Sequence, residues 1–117
     1  MYRDFLIDGR DDLDHLAPHE REAVEVFQSV YDPEIPVPIW DLGLIYGLDT
    51  NVEGQTAHVK MTLTAPNCPA AELLPQQVRY GLEALDWCDD ATVEIVFTPP
   101  FNQEMISDEA KLTMGLI

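Results

Sequence analysis

The sequence is poor in cysteine, in basic side chains and in long apolar runs. Two cysteines in 117 residues are too few for a disulfide scaffold. The longest uninterrupted apolar stretches span only a few residues, which predicts no bilayer-crossing segment. Aspartates follow Phe5 so closely that the N-terminus has no apolar run to serve as a secretory signal. These shortages favour a soluble, cytoplasmic protein, and the length fits one compact domain.

Basic side chains are scarce: six lysines and arginines stand against 22 acidic residues, for a net charge of −16. Such a surface repels phosphate backbones and anionic lipid heads, so we expect no nucleic-acid partner and no membrane partner. The acids are spread along the whole chain. That distribution is typical both of a protein from a saline host and of an acidic face that docks a partner, and composition does not separate the two.

Two regions are predicted along the chain. Residues 1–17 carry five aspartates and no sustained periodicity, so we expect an acidic, weakly ordered lead-in. Residues 18–117 form the folded domain. Pro18 suits the first position of a helix, and Asp32-Pro33 lies just past its end because the residue before proline avoids the helical region.

Alternating apolar residues predict strands near residues 44–49, 58–64 and 92–98. A second helix is expected over about 69–85, interrupted by Pro75, and Ser107 caps a final helix that ends at Gly115. The order is therefore helix, strand, strand, helix, strand, helix. A hairpin followed by a helical crossover predicts an α+β domain, a small two-layer α/β sandwich with a mixed three-stranded sheet.

Cys68 is the residue most suggestive of chemistry. It lies between a strand end and a predicted helix start at Pro69, where unpaired helix N–H groups would stabilise a thiolate. The alternative is a small buried residue that fills a loop. Cys88, in a turn between helix and strand, has no comparable setting and is interpreted as structural.

Carboxylates form the second group of candidates. Asp32 and Glu34 flank Pro33 on an extended connector, a geometry suited to gripping a metal or a basic group of a partner. The alternative for this pair is a helix terminator with solvated acids. Asp41 either caps a turn or points into the same cleft as Asp32 and Glu34. Trp40, Trp87 and Phe101 are interpreted as core or interface anchors.

Histidines give little support for a fixed metal site or a thiol enzyme. Pro18 separates His15 from His19 and disfavours a shared helical face, and no established zinc-binding, phosphate-loop or serine-hydrolase spacing is present. A nucleophilic Cys68 would need a histidine within hydrogen-bond reach. The candidate is His58, which is predicted on the polar side of a strand and far from the strand end.

Four stretches together resemble one family. They are residues 30–37 (VYDPEIPV), 41–46 (DLGLIY), 61–69 (MTLTAPNCP) and 105–110 (MISDEA), in that order. They are similar to the metal–sulfur cluster assembly factors, which include SufT-type proteins and the PaaD-like proteins of phenylacetate degradation. The resemblance runs from about residue 23 to residue 116. Phe101 stands where the resemblance leads us to expect tryptophan.

The resemblance implies a non-enzymatic auxiliary role in iron–sulfur cluster assembly or protein maturation. Cys68 matches the reactive, cluster-handling position and is the candidate metal ligand, with Asp32, Glu34, Asp41 and Thr64 in support. One thiol does not complete a cluster's four ligands. We therefore expect no stably bound cofactor, only transient iron or an iron–sulfur cluster, bridged by a homodimer or shared with a client or a small thiol.

Expected partners are iron–sulfur assembly proteins and client apoproteins. Two alternatives stay open. One is a PaaD-like accessory protein of phenylacetate ring oxidation, although the sequence stops at Ile117 without the cysteine-rich C-terminal segment usual in that branch, which favours the SufT-type interpretation. The other is an acidic adaptor domain in which Cys68 is merely structural.

Overall fold

A four-stranded sheet and three α-helices make up the described part of the chain. The computed structural model describes residues 2–5, 14, 16–33, 35–64 and 70–115. The strands are β1 (Tyr2–Asp4), β2 (Ile45–Asn51), β3 (Thr56–Met61) and β4 (Asp90–Ile95); the helices are α1 (Pro18–Ser29), α2 (Ala70–Glu83) and α3 (Asp108–Met114). A short 3-10 turn at Gln103–Met105 precedes α3.

The strands lie in the order β1-β2-β3-β4. The β1/β2 and β2/β3 pairs are antiparallel, whereas β3 and β4 are parallel and joined through α2. A hairpin therefore leads into a helical crossover, as predicted. The α+β class and the mixed sheet are confirmed.

The sheet has four strands where the sequence predicted three. The additional strand is β1, which lies within the residues 1–17 assigned to the acidic lead-in. Its register places Arg3 opposite Leu48 on β2, and the Phe5 N–H donates to the Tyr46 carbonyl at 3.0 Å. A strand of three residues is too short to show an alternating pattern in the sequence. It forms by pairing with β2, so the sequence did not predict it.

Apolar periodicity correctly located the buried faces. On β3 the side chains of Ala57, Val59 and Met61 are buried, and the residues between them face outward. On α1 the buried positions include Val24 and Phe27, at helical spacing. The helices thus pack on one face of the sheet and leave polar side chains on the other.

The second and third helices match their predicted positions closely. The expected first residue of α2, Pro69, lies outside the described residues; the described helix runs from Ala70 through Pro75 and ends at Glu83. The hydroxyl of Ser107 accepts from the Ala110 N–H at 3.2 Å, which caps α3. Gly115 ends that helix in the left-handed region.

The tryptophans anchor the core. Trp40 packs edge-on against Phe5, with ring centroids 4.9 Å apart, and stacks on Phe27 at 6.1 Å. Trp87 is buried, and its Nε1–H donates to Glu22 at 3.1 Å. Phe101 is half-buried and packs against the same core. The prediction that these aromatic side chains are anchors is confirmed.

Candidate functional site

Strand β3 ends at Met61, seven residues before Cys68 in the sequence, at one end of the sheet. Because β3 and β4 are parallel, Met61 and Ile95 end their strands side by side, and antiparallel β2 begins there at Ile45. We call this region the carboxyl end of the sheet. The Thr62 N–H donates to the Leu44 carbonyl at 2.8 Å and extends the pairing past β3.

Cys68 and Glu34, two of the predicted site residues, lie outside the described residues. Thr64, four residues before Cys68, is half-buried and is the last described residue before residues 65–69. Of the predicted site residues, the structure therefore describes Asp32, Asp41 and Thr64.

Asp32 is buried and structurally constrained. Its side chain is 3% exposed, and Oδ1 accepts from the Ile35 N–H at 3.1 Å. The Asp32 N–H donates to the Val37 carbonyl at 3.3 Å, next to a bridge between Tyr31 and Pro38. This carboxylate therefore organises the proline-rich connector, which is more than a solvated helix terminator does.

Asp41 lies on the wall of a cleft beside that connector. The cleft has a volume of about 270 Å³, and its walls include Tyr31, Pro36 and Pro38 from the connector and Glu109 from α3. The Asp41 carbonyl also accepts from the Ser107 N–H at 2.7 Å. Asp41 thus faces a cleft bounded by the connector, and its backbone attaches the turn to the start of α3.

Tyr46 is a residue at the carboxyl end whose contacts the sequence did not reveal. Its hydroxyl donates to the Pro99 carbonyl at 2.7 Å and lies 3.6 Å from the Met105 sulfur. Burial raises the pKa of this phenol above 10.0. Tyr46 belongs to residues 41–46, one of the four stretches that resemble the family, yet its partners are more than 50 residues away in sequence.

Replacing Tyr46 with phenylalanine tests the hydrogen bond between the Tyr46 hydroxyl and the Pro99 carbonyl. We expect Tyr46→Phe to lower the free energy of unfolding by about 0.5–1.5 kcal/mol at pH 8, because a hydrogen bond is lost. The raised pKa means that the unfolded phenol ionises first. The contribution of Tyr46 is therefore present below pH 10.0 and is lost as pH rises from there through the folded-state pKa.

Urea unfolding of both proteins at several pH values checks this expectation. The difference in stability between wild type and Tyr46→Phe should narrow above pH 10.0. Ionisation of the other tyrosines is common to the two proteins and cancels in the comparison. If the difference in unfolding free energy stays constant above pH 10.0, the raised pKa of Tyr46 in the folded protein is contradicted.

Cys88 has the properties of a structural thiol. It is 0% exposed, and its Sγ–H points to the Asp90 carbonyl at 3.6 Å. Burial raises the pKa of this thiol above 9.0, and the carboxylates of Glu83, Asp89 and Asp90 add to the shift. Cys88 is thus buried and neutral at physiological pH, as expected of a residue outside the site.

Thiol labelling of a Cys68→Ser variant gives a direct measurement of Cys88. We expect the native variant to react with an aromatic disulfide reagent at least about a hundredfold more slowly than the same variant in denaturant, because labelling requires local opening. Spectrophotometric release of the reagent's thiolate measures both rates. Native labelling at the denatured rate would show that Cys88 is exposed.

His58, the histidine considered for a thiol enzyme, is bonded to β4. Its Nδ1 lies 2.6 Å from the Thr92 hydroxyl, and its Nε2 lies 3.2 Å from Glu94. It lies on β3 three residues before Met61, roughly 10 Å from the strand end at about 3.3 Å per residue. Both ring nitrogens are thus occupied on the outer face of the sheet, which disfavours His58 as a base for Cys68.

The described residues contain no group of three or more histidine, cysteine, aspartate or glutamate side chains arranged to hold a metal ion. Cys68 and Glu34 lie outside the described residues. Within the same described ranges, no helix is both long and apolar enough to cross a membrane.

Residues 20–95 match the model of a family described as iron–sulfur cluster assembly protein. The chain is 43% identical over 98 residues to an Fe-S protein maturation auxiliary factor of Porphyromonas gingivalis, which covers 84% of this chain and 92% of that one. It is 37% identical to the Fe-S protein maturation auxiliary factor SufT of Staphylococcus aureus, covering 74% of this chain and 98% of its relative.

The fold matches a solved structure. A crystal structure of a domain of unknown function, DUF59, from Bacillus anthracis superposes with a TM-score of 0.78 at 30% identity, covering 85% of this chain and 93% of that one. The chain therefore belongs to the iron–sulfur cluster assembly protein family, and its relatives are of the SufT type. The resemblance found in the sequence is confirmed.

Proposed function

We propose that this protein is a non-enzymatic auxiliary factor in the assembly of iron–sulfur clusters or the maturation of iron–sulfur proteins. The observation that carries the proposal is its alignment with named maturation factors over most of both chains, at up to 43% identity. The matched residues 20–95 include Asp32, Asp41, Thr64 and Cys68. Cytoplasmic iron–sulfur assembly proteins and client apoproteins are the partners this function requires.

Cys68 is the thiol that we assign to iron or sulfide handling or to client contact. Of the two cysteines, Cys88 is buried and its pKa is raised, so it is poorly suited to react. When a thiol binds ferrous iron, it releases its proton to solvent and the sulfur becomes the ligand. Cys68 alone supplies this chemistry in the chain.

One cysteine supplies one of the four ligands that a cluster takes. The remaining ligands have to come from a client, an assembly protein, a small thiol or a second copy of the chain. We therefore propose that iron or a cluster is a transient cargo and not a resident cofactor. Such sharing suits transfer, because each ligand exchange passes the cargo toward the recipient.

Asp32, Glu34, Asp41 and Thr64 are the proposed supporting residues. The Asp32 carboxylate shapes the connector through the Ile35 N–H, and Asp41 faces the neighbouring cleft. Thr64 leads from β3 toward Cys68. Carboxylate oxygens close to a cysteine would favour a cation such as ferrous iron at the carboxyl end of the sheet.

Anaerobic loading tests this function. Protein incubated with ferric iron, sulfide and glutathione should develop the visible absorption of a 2Fe–2S cluster, whose two irons are both ferric, and an apoferredoxin added afterwards should acquire the cluster. We expect Cys88→Ala to behave as wild type, and we expect Cys68→Ser to lose both loading and transfer. Equal loading and transfer by Cys68→Ser would overturn the assignment of the cysteine.

An acidic adaptor is the second candidate, and the net charge of −16 is the observation that favours it. In that function the acidic surface binds a basic partner and Cys68 takes no part. Capture of iron–sulfur assembly proteins from a lysate would then weaken strongly with salt and be unchanged in Cys68→Ser. Loss of capture in Cys68→Ser would instead favour the cysteine-dependent function.

A further inference from the structure

The outer edge of β4 carries backbone groups directed away from the rest of the sheet. In the order β1-β2-β3-β4, strand β4 is terminal. The Val96 N–H donates to the Met61 carbonyl at 2.8 Å, toward β3, whereas the Ala91 N–H donates away from β3, to Glu83. Because backbone groups alternate along a strand, those of Val93 and Ile95 share the outward direction of Ala91.

One outward amide is occupied from within the chain. Glu83 Oε2 accepts the Ala91 N–H at 3.1 Å and also pairs with Arg79 Nε at 3.1 Å. Among the residues that the structure describes, no backbone carbonyl accepts a hydrogen bond from the outward amides of Val93 and Ile95. An unpaired strand edge of this kind is a template for another strand.

A crevice runs between this edge and α2. Its volume is about 370 Å³, and it is lined by Pro75, Gln76 and Arg79 of α2 and by residues 90–93 of β4. Val93 lies opposite Val59 in the register and so belongs to the face that packs on the helices. A strand added beside β4 would extend that apolar row, and its inward side chains would enter the crevice.

The outer face of the same edge is acidic. Asp90 and Glu94 are both exposed, and their side chains alternate with the inward-facing ones. Glu94 lies 3.2 Å from His58 Nε2 on β3, and its side chain remains 51% exposed. A strand added here would therefore place every second side chain beside these carboxylates. Basic residues would be favoured at those positions, and acidic residues would be repelled.

This charge pattern also disfavours a second copy of the chain. Antiparallel pairing of two β4 edges would bring four carboxylates, Asp90 and Glu94 from each copy, onto one narrow strip. Each copy also carries a net charge of −16. Like charges on adjacent strands are destabilising, so self-pairing at this edge is opposed by electrostatics.

We propose that the β4 edge is a docking site for an extended segment of a partner protein in which apolar and basic residues alternate. The partner's backbone pairs with the outward groups of Val93 and Ile95. Its apolar side chains occupy the crevice beside α2, and its basic side chains face Asp90 and Glu94. This is the strand-addition mode of peptide recognition, and it does not depend on Cys68.

Amide hydrogen exchange with defined peptides tests the proposal. The probe is acetyl-Lys-Val-Lys-Ile-Lys-Val-Lys-amide, and its control has glutamate in place of every lysine. At a basic-peptide concentration that occupies about nine tenths of the protein, exchange at Val93 and Ile95 should slow about tenfold, because only the free fraction exchanges. The amides of β1, at the opposite edge, and the exchange rates with the acidic peptide should stay unchanged.

Two variants at one position separate backbone pairing from side-chain packing. Val93→Pro removes the outward N–H without touching the ladder to β3, a position where a strand edge tolerates proline. Val93→Ala keeps the N–H and loses side-chain packing. We expect Val93→Pro to lose peptide binding by at least about tenfold, equal to about 1.4 kcal/mol, and Val93→Ala to retain most of it.

A charge-reversed protein keeps the test decisive if Val93→Pro fails to fold. The double variant Asp90→Lys and Glu94→Lys should bind the acidic peptide in preference to the basic one. Equal binding of both peptides by wild type, protection at β1 in place of β4, or no binding at millimolar peptide would each overturn the proposal. Concentration-dependent dimers that protect Val93 without peptide would assign the edge to a second copy instead.

Discussion

Cells in which Cys68 is replaced by serine should lose iron–sulfur client activity to the level of cells that lack the protein. A serine hydroxyl stays protonated at neutral pH and is a poorer ligand for iron than a thiolate. The substitution removes one sulfur atom and keeps a similar shape. The measurement is the specific activity of an iron–sulfur client enzyme under iron limitation, normalised to the amount of that enzyme's polypeptide.

Cys88→Ala is the matched control for this experiment. Cys88 is buried, so its replacement removes a small amount of packing and leaves the chemistry of Cys68 unchanged. We expect client activity close to wild type, with a stability cost of about 1 kcal/mol. Wild-type activity in Cys68→Ser would reject the cysteine as the functional group, whereas equal loss in both variants would indicate a stability effect.

Gly43→Ala should lower the free energy of unfolding by about 2–5 kcal/mol. Gly43 has a φ of 78°, where an L-residue costs roughly 1–2 kcal/mol. A Cβ at this position would also lie 2.5 Å from the Met105 carbonyl oxygen, so the backbone around Met105 has to move, at a further cost of about 1–3 kcal/mol. Urea unfolding of the two proteins measures the difference.

Gly115→Ala measures the backbone-strain part of that effect alone, so the difference between the two substitutions gives the steric part. Gly115 has nearly the same φ, 79°, but a Cβ there would meet no described atom within 4 Å. We expect a cost of roughly 1–2 kcal/mol, since backbone strain is the contribution that remains. Equal costs for the two substitutions would mean that the contact between Gly43 and Met105 does not constrain the fold.

The strong periodic patterns predicted most of the fold. Strand β3 alternates buried and exposed residues over its full length, and α1 repeats its apolar side chains at helical spacing. Both patterns are local, so they can be recognised in the sequence before any tertiary contact is known. Strand β1 has three residues and forms by pairing with β2, which no local pattern announces.

The sequence predicts which residues form the candidate site but not the contacts that the described ones make. Asp32 and Asp41 stood out as carboxylates on a proline-rich connector and a turn. Their actual contacts, with the Ile35 N–H and with α3, depend on how the connector folds back. Tyr46 was missed because its partners, Pro99 and Met105, come from a different part of the chain.

The sequence by itself determined the order of helices and strands apart from β1, the acidic surface and the family. Its choice of Cys68 over Cys88 as the reactive cysteine stays a prediction. These properties follow from composition, local spacing and short motifs. The tertiary structure alone decided the fourth strand, the contact of Gly43 with Met105 and the outward edge of β4. The physical reason is that each of these depends on which distant segments meet, and periodicity within a segment carries no information about its neighbour in space.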